Sequence, residues 1–176
     1  MILKQIIKSK TFGMKEFFFD SEDLQKVNMY QWHLQNRGPG RNHNLFYVAT
    51  NIEVDGKRTI LLLHRHLIDA PDDLKVNHIN RNSLDNRKEN LRLASPIQIM
   101  QTVIKHKGKD SVHKGICKRS RKWEVYITVN KKRIYLGTRV SEIEAAKLYN
   151  ENAIKYFGEF AQLNKIEEDK KCLITK

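Results

Sequence analysis

Cysteine is nearly absent from the 176 residues: there are two, Cys117 and Cys172. Far apart in the chain, they match neither a disulfide framework nor a zinc site, which draws four ligands from paired Cys or His. Thiol-based cofactor chemistry therefore drops out. Long apolar runs are absent as well. No stretch approaches the roughly 18 to 20 residues that span a bilayer, and the opening Met1-Ile2-Leu3-Lys4-Gln5 lacks a signal-peptide core. The expectation is a soluble, intracellular, cytoplasmic protein with no membrane partner. Acidic residues are few beside basic ones, 20 against 33, which gives a formal net charge of +13. Such an excess points to a polyanionic partner. An apolar content of 40% with 9% aromatics is that of a folded chain and excludes a mostly disordered one. This length suffices for one large core or two small ones.

The charge is unevenly placed. From Lys105 to Arg139 there are twelve basic residues and two acidic ones, Asp110 and Glu124, a local net of +10. From Glu142 to the end six Lys oppose seven acids, a local net of −1. A scattered excess reads as a solvated, solubilising surface, whereas clustering beside aromatics favours nucleic acid.

Residues 1–63 read as strands. Asp55-Gly56, between Leu45–Val54 and Lys57–Leu63, is a hairpin signal because both central residues of that turn want positive φ. Asn36–Asn42 is loop material, and Leu74–Ser95 is a polar, Asn-rich unit of the kind held by side-chain hydrogen bonds. Pro96 opens a helix expected to run to about Lys105, and Lys105–Ser111 reads as a linker. Trp123, Val125, Ile127 and Val129 then alternate with Glu124, Tyr126 and Thr128. Asn130-Lys131-Lys132 turns the chain into a strand through Ile134 and Leu136. Ser141 with Glu144 forms a capping box ahead of a helix that ends near Phe157, with Gly158 as its stop. Along it Ala145, Ala146, Leu148, Tyr149, Ala153, Tyr156 and Phe157 recur at helical spacing. The tail from Lys165 has little to bury.

Three stretches, Leu63-His64-Arg65-His66, Val76-Asn77-His78-Ile79-Asn80 and Leu84 to Ser95, together resemble the HNH nuclease family in its homing-endonuclease-like branch, over about residues 17–103. The resemblance implies a ββα-metal unit in which His78 is the general base, Asn77 stands at a metal-ligand position and Asn90 is the middle Asn that braces the loop. Neutral imidazole suits deprotonation of water near pH 7, and a cation such as Mg²⁺ answers the charge that develops at the leaving oxygen. Arg87 and Arg92 are candidates to grip phosphates as planar forks. The plain alternative makes the asparagines turn braces and the arginines surface charges; for His64 and His66 a role in packing or in supporting a site residue is preferred. One departure stands out: Ile99 occupies the position, nine after the middle Asn, where the family carries a His or Asn metal ligand. With Asn77 also neutral, no carboxylate is assured around a hard cation; Asp85, Gln98 and Thr102 are the candidates to replace it.

A second set, Lys114-Gly115-Ile116, Lys122–Ile127, Lys132–Gly137, Glu144–Asn150 and Phe157–Asn164, resembles the DNA-binding domain of the plant Apetala and ethylene-response-factor family over roughly 111–164. Viral and bacterial proteins join similar domains to HNH units, which suggests a phage or mobile element and, for a virus, a host cytoplasm. The resemblance implies a three-stranded sheet laid in the major groove, which admits a β-ribbon. Lys114 stands where plant members carry Arg, Arg133 keeps the Arg, and Tyr135 replaces a Trp. Cys117, Tyr126 and Thr128 stand where they have Arg, Glu and Arg, so the plant sequence preference is not carried over. With Trp123, Val125, Ile127 and Val129 beneath the helix, Tyr126, Thr128, Arg133 and Tyr135 face outward beside Lys118, Arg119, Arg121 and Lys122.

The fold class expected is α+β: an HNH-type module with a β-rich leading segment over 1–104, a basic linker over 105–112, a three-stranded antiparallel sheet packed on one helix over 113–164, and a tail over 165–176. The function expected is a divalent-metal-dependent DNA endonuclease of the homing type, degenerate at its metal site where Ile99 stands. The partner is double-stranded DNA, with a larger protein assembly left open and the oligomeric state unspecified. The alternatives are a non-catalytic DNA-binding or regulatory protein derived from such a nuclease and an RNA-binding accessory protein, since exposed Tyr on a basic sheet could stack single-stranded bases.

Overall fold

The structure is a computed structural model that describes residues 1–37, 45–103 and 111–166. It is α+β, built from small antiparallel sheets and few helices, and divides into two compact units, Met1–Ser95 and Pro96–Lys176. Among the described residues no helix is long and apolar enough to cross a membrane.

The first unit opens with a hairpin of β1 (Ile2–Ser9) and β2 (Gly13–Asp20), followed by a short helix α1 (Leu24–Asn28) within the stretch read as all strand. Next come β3 (His33–Asn36), β4 (Phe46–Val54) and β5 (Lys57–Leu62), paired in that order. The β4–β5 turn is the expected one, with Asp55 at φ 49° and Gly56 at φ 70°. Helix α2 (Leu63–Leu67) follows directly, and β6 (Lys75–His78) pairs with β7 (Leu91–Ala94). The core gathers Phe17, Phe19, Val27, Val48, Leu63 and Leu67, all nearly fully buried. Alternation on β2 sends Phe17 and Phe19 inward. The predicted loop Asn36–Asn42 lies outside the described residues from residue 38 on.

The second unit starts with α3 (Pro96–Gln101), shorter than the helix expected from Pro96. Thr102 ends it by folding back on the Ile99 carbonyl with both its N–H (3.1 Å) and its hydroxyl (2.8 Å). The sequence reading assigns this helix to the first module, yet it groups with the second unit, where the Lys114 ammonium holds the carbonyls of Gln101 and Val103, each at 2.9 Å. Residues 104–110, most of the predicted linker, lie outside the described residues. Ser111 is buried and hydrogen-bonded to Glu142, so it belongs with the second unit.

Three strands follow, β8 (Ile116–Arg119), β9 (Lys122–Val129) and β10 (Lys132–Arg139), with β9 in the middle. Helix α4 (Glu142–Phe157) covers one face. Ser141 caps it by accepting from the Glu144 N–H at 3.1 Å, and Gly158 at φ 52° stops it. Ile116, Val125 and Ile127 pack beneath Ala145, Ala146, Tyr149 and Ala153. Tyr156, at helical spacing with these, is exposed because its register leaves it off the covered face. Asn164 closes the unit: it accepts from the Lys114 N–H at 2.6 Å, donates to the Lys114 carbonyl at 3.1 Å, and exchanges two bonds with Asn150. Ile166 packs on the core, so the chain is still ordered past Lys165; residues 167–176 of the predicted tail lie outside the described residues.

Candidate functional site

In the first unit the β6–β7 ribbon sets Asn77 opposite Arg92 and His78 opposite Leu91. The loop between the strands is short of apolar residues and holds itself by side chains. Asn82 N–H bonds Asn80 Oδ1 at 2.8 Å and Leu84 N–H bonds Asn82 Oδ1 at 3.1 Å, turns that Asn favours. Buried Asn90 crosses the loop, accepting from the Asn80 N–H at 2.8 Å and donating to the Asp85 carbonyl at 2.7 Å. Both bonds brace the loop. Phe18 stitches the loop to β2 through the Leu84 carbonyl and the Asn86 N–H, both at 2.8 Å.

His78 points into the unit. Its ring meets His64 edge-on at 5.0 Å and Tyr47 at 6.1 Å, and Tyr47 lies 5.3 Å from His64. His64 sits on α2 and Tyr47 on β4, so elements that are remote in sequence surround the His78 ring. Burial lowers the His78 pKa below the ordinary 6.5, opposed by Asn86 and Asp85, which favour the charged ring. Asn86 stands beside His78 although its Oδ1 makes no hydrogen bond of normal geometry, and His78 Nε2 is likewise buried without a partner. Burial also pushes the Tyr47 hydroxyl up. His64 is driven furthest, down to about 3, first by burial and then by His78, Arg65 and Arg37.

A folded-state pKa near 3 against 6.5 in the unfolded chain means that the unfolded state binds more protons between those values, so stability is present above 6.5 and is lost as pH falls. The first unit should lose about 2 kcal/mol between pH 7 and pH 5. Urea titrations of the full chain followed by Trp32 fluorescence in a Trp123→Phe background measure this. His64→Phe should flatten the dependence, and equal midpoints for the parent at both pH values would remove His64 as the cause.

The donors around this ribbon do not fit a divalent cation. Asn77 Oδ1 accepts from Arg92 Nε at 2.9 Å, so a guanidinium holds the oxygen a cation would need. Asp85 is also engaged: Arg87 donates to both its oxygens at 2.7 Å and Asn80 adds a third bond at 2.7 Å. Among the described residues no group of three or more His, Cys, Asp or Glu is placed to hold a metal, and Ile99, on α3 of the second unit, carries no metal-ligating side-chain atom. Arg87 also pairs with Glu89, so it serves as a loop brace neutralised by two carboxylates.

In the second unit, strand alternation separates the basic residues into groups. Register pairs Lys118 with Trp123, Cys117 with Glu124 and Arg119 with Lys122 across β8 and β9, and Thr128 with Arg133 and Tyr126 with Tyr135 across β9 and β10. Trp123 packs on the helix side, so Lys118 is on that side too, its ammonium 5.4 Å from the indole ring. Lys114 caps α3. Arg119, Lys122, Tyr126, Thr128, Arg133 and Tyr135 share the opposite face, and Arg121 lies at the tight β8–β9 turn. There the Arg133 guanidinium lies 3.7 Å over the Tyr126 ring, and Tyr135 stands 5.3 Å from it. Sequence reasoning placed Tyr126, Thr128, Arg133 and Tyr135 outward from period-2 alternation alone. It gave His64 a packing or supporting role but missed Tyr47 and Asn86 beside His78, which are joined to it only by folding, and it counted Lys118 with the outer face because charge clustering carries no facing.

Among curated proteins the chain is 32% identical, over 163 residues, to an uncharacterized HNH endonuclease of Acanthamoeba polyphaga mimivirus, the match covering 88% of this chain and 78% of that protein. The chain belongs to the HNH endonuclease family. No protein-family model and no solved structure matches it.

Proposed function

We propose that this protein is a DNA-binding endonuclease of the HNH homing type, in which the open face of the β8–β9–β10 sheet, an ethylene-response-factor-like module, grips duplex DNA and the first unit hydrolyses a phosphodiester bond. The carrying observation is the setting of His78: a buried imidazole at the end of β6, held neutral near pH 7 by burial, with His64, Tyr47 and Asn86 around it. A neutral imidazole suits deprotonation of an attacking water near pH 7. His78 takes the proton of that water, and Asn90 and Asp85 hold the loop that follows it. On the sheet, Arg119, Lys122 and Arg133 supply phosphate contacts.

A second reading, a DNA-binding protein of this family without cleavage, is favoured by one observation: Arg92 occupies Asn77 while Ile99 replaces a donor. Incubating purified protein with supercoiled DNA in Mg²⁺ or Mn²⁺ separates the two. Nicking supports the first reading, and duplex binding without nicking supports the second. Binding itself is tested by Arg133→Ala, which should weaken duplex affinity and reduce the slope of log K against log salt by about one. An unchanged slope would remove this face as the phosphate contact.

A further inference from the structure

One side chain on the open face of the sheet has the wrong sign for a phosphate surface. Glu124 lies within β9, the middle strand, opposite Cys117 of β8 on one side and Thr138 of β10 on the other. It therefore lies on the middle strand, flanked on both sides, two residues into β9 from the β8–β9 turn. Its Oε2 accepts from the Tyr126 hydroxyl at 3.0 Å and stands 3.6 Å from Arg119 Nε. Tyr126 is in turn clamped beneath Arg133 and beside Tyr135. The carboxylate is thus oriented from one side, while Oε1 has no protein partner among the described residues and the side chain is 26% exposed.

A carboxylate on the middle strand of a phosphate-binding face weakens affinity by repulsion, so a face serving backbone contact alone gains nothing from it. Facing base edges, it has one suitable partner: an exocyclic amino group. In the major groove cytosine presents its N4 amino donor, guanine and thymine present acceptor oxygens, and adenine sets the N7 lone pair beside its N6 amino group. We propose that Glu124 is a specificity-determining residue that accepts a hydrogen bond from cytosine N4 in the major groove, so that the target site carries a C–G pair under the middle strand of the sheet. Arg119 and Tyr126 are its positioning residues, holding Oε2 so that Oε1 faces the groove. This rests on the duplex-binding reading given above and adds to it which base the sheet selects.

The test is selection of duplexes from a randomised pool by the full-length parent, Glu124→Gln and Glu124→Ala at one stated salt concentration, with sequencing of the retained DNA. The parent should show a C at one position. Glu124→Gln should exchange that C for A, since an amide pairs bidentately with adenine N6 and N7. Glu124→Ala should lose the preference there by roughly tenfold to a hundredfold while the other positions keep theirs. Identical base preferences in all three proteins, with uniformly tighter binding by the variants, would show that Glu124 only tempers its basic neighbours and would overturn the proposal while leaving duplex binding intact. A parent that retains duplexes without base preference has the same consequence. A parent that retains no duplex overturns the binding reading itself, and the base contact with it.

Discussion

Replacing His78 with alanine is expected to lower nicking of supercoiled DNA by about 10²- to 10⁴-fold, the usual contribution of a positioned base. The expectation follows from where the ring sits. It ends β6 with its neighbour Asn77 tied to Arg92, so the strand cannot swing without breaking that bond. His64 and Tyr47 pack on the imidazole and Asn86 stands beside it. Burial is the main cause of its lowered pKa. The active form of a base is the unprotonated ring, so the rate should persist below pH 6.5 and decline as pH falls through the lowered value. A pH–rate profile of the parent with its acid limb below 6.5, absent from the residual rate of the variant, is the expected pair of results. A parent limb above 6.5 would mean that another group titrates. Equal nicking by parent and His78→Ala would take the base role from His78.

Gly115→Ala is expected to be the most damaging single substitution in the second unit. Gly115 has φ 77°, and a Cβ there would lie 2.3 Å from two ring carbons of Tyr149 and 2.4 Å from the Tyr126 carbonyl oxygen. The first is the ring of a core residue with 2% exposure, and the second is backbone, so neither neighbour can give way cheaply. Positive φ costs a non-glycine residue about 1 to 2 kcal/mol, and forced overpacking adds about 1 to 3 kcal/mol or more. The sum is a large part of a small unit's stability. Gly158 gives a contact-free comparison, because it also has a positive φ of 52° and nothing within 4 Å of an added Cβ. Thermal unfolding should therefore fall much further for Gly115→Ala than for Gly158→Ala. Equal shifts would show that the tyrosine contact is not the cause.

Local chemistry made much of the fold legible. Asp55-Gly56 announced its hairpin because two consecutive positive φ values require such residues, and Ser141 with Glu144 announced the start of α4 because the first turn of a helix needs acceptors for its free N–H groups. Trp123 to Val129 showed its faces through a period of two. Other features stayed hidden. The helix at Pro96 stops at Gln101 because Thr102 returns to the Ile99 carbonyl, a choice that propensity does not express. Arg87 and Arg92 looked alike in sequence, yet one is locked between Asp85 and Glu89 and the other lies on Asn77.

By itself the sequence determined which residue types are present and with what local period: the Asn-rich loop that follows His78, the basic stripe of +10 from Lys105 to Arg139, and the alternation that gives a strand two faces. Only the tertiary structure decided that Lys118 leans on Trp123 while Arg119 and Arg133 share a face with Glu124, and that His64 on α2 meets His78 on β6. The physical reason is range. Turn, cap and strand periodicities arise from neighbours a few residues apart, whereas the contact of a guanidinium with an amide 15 residues away depends on which strands pair and in what register.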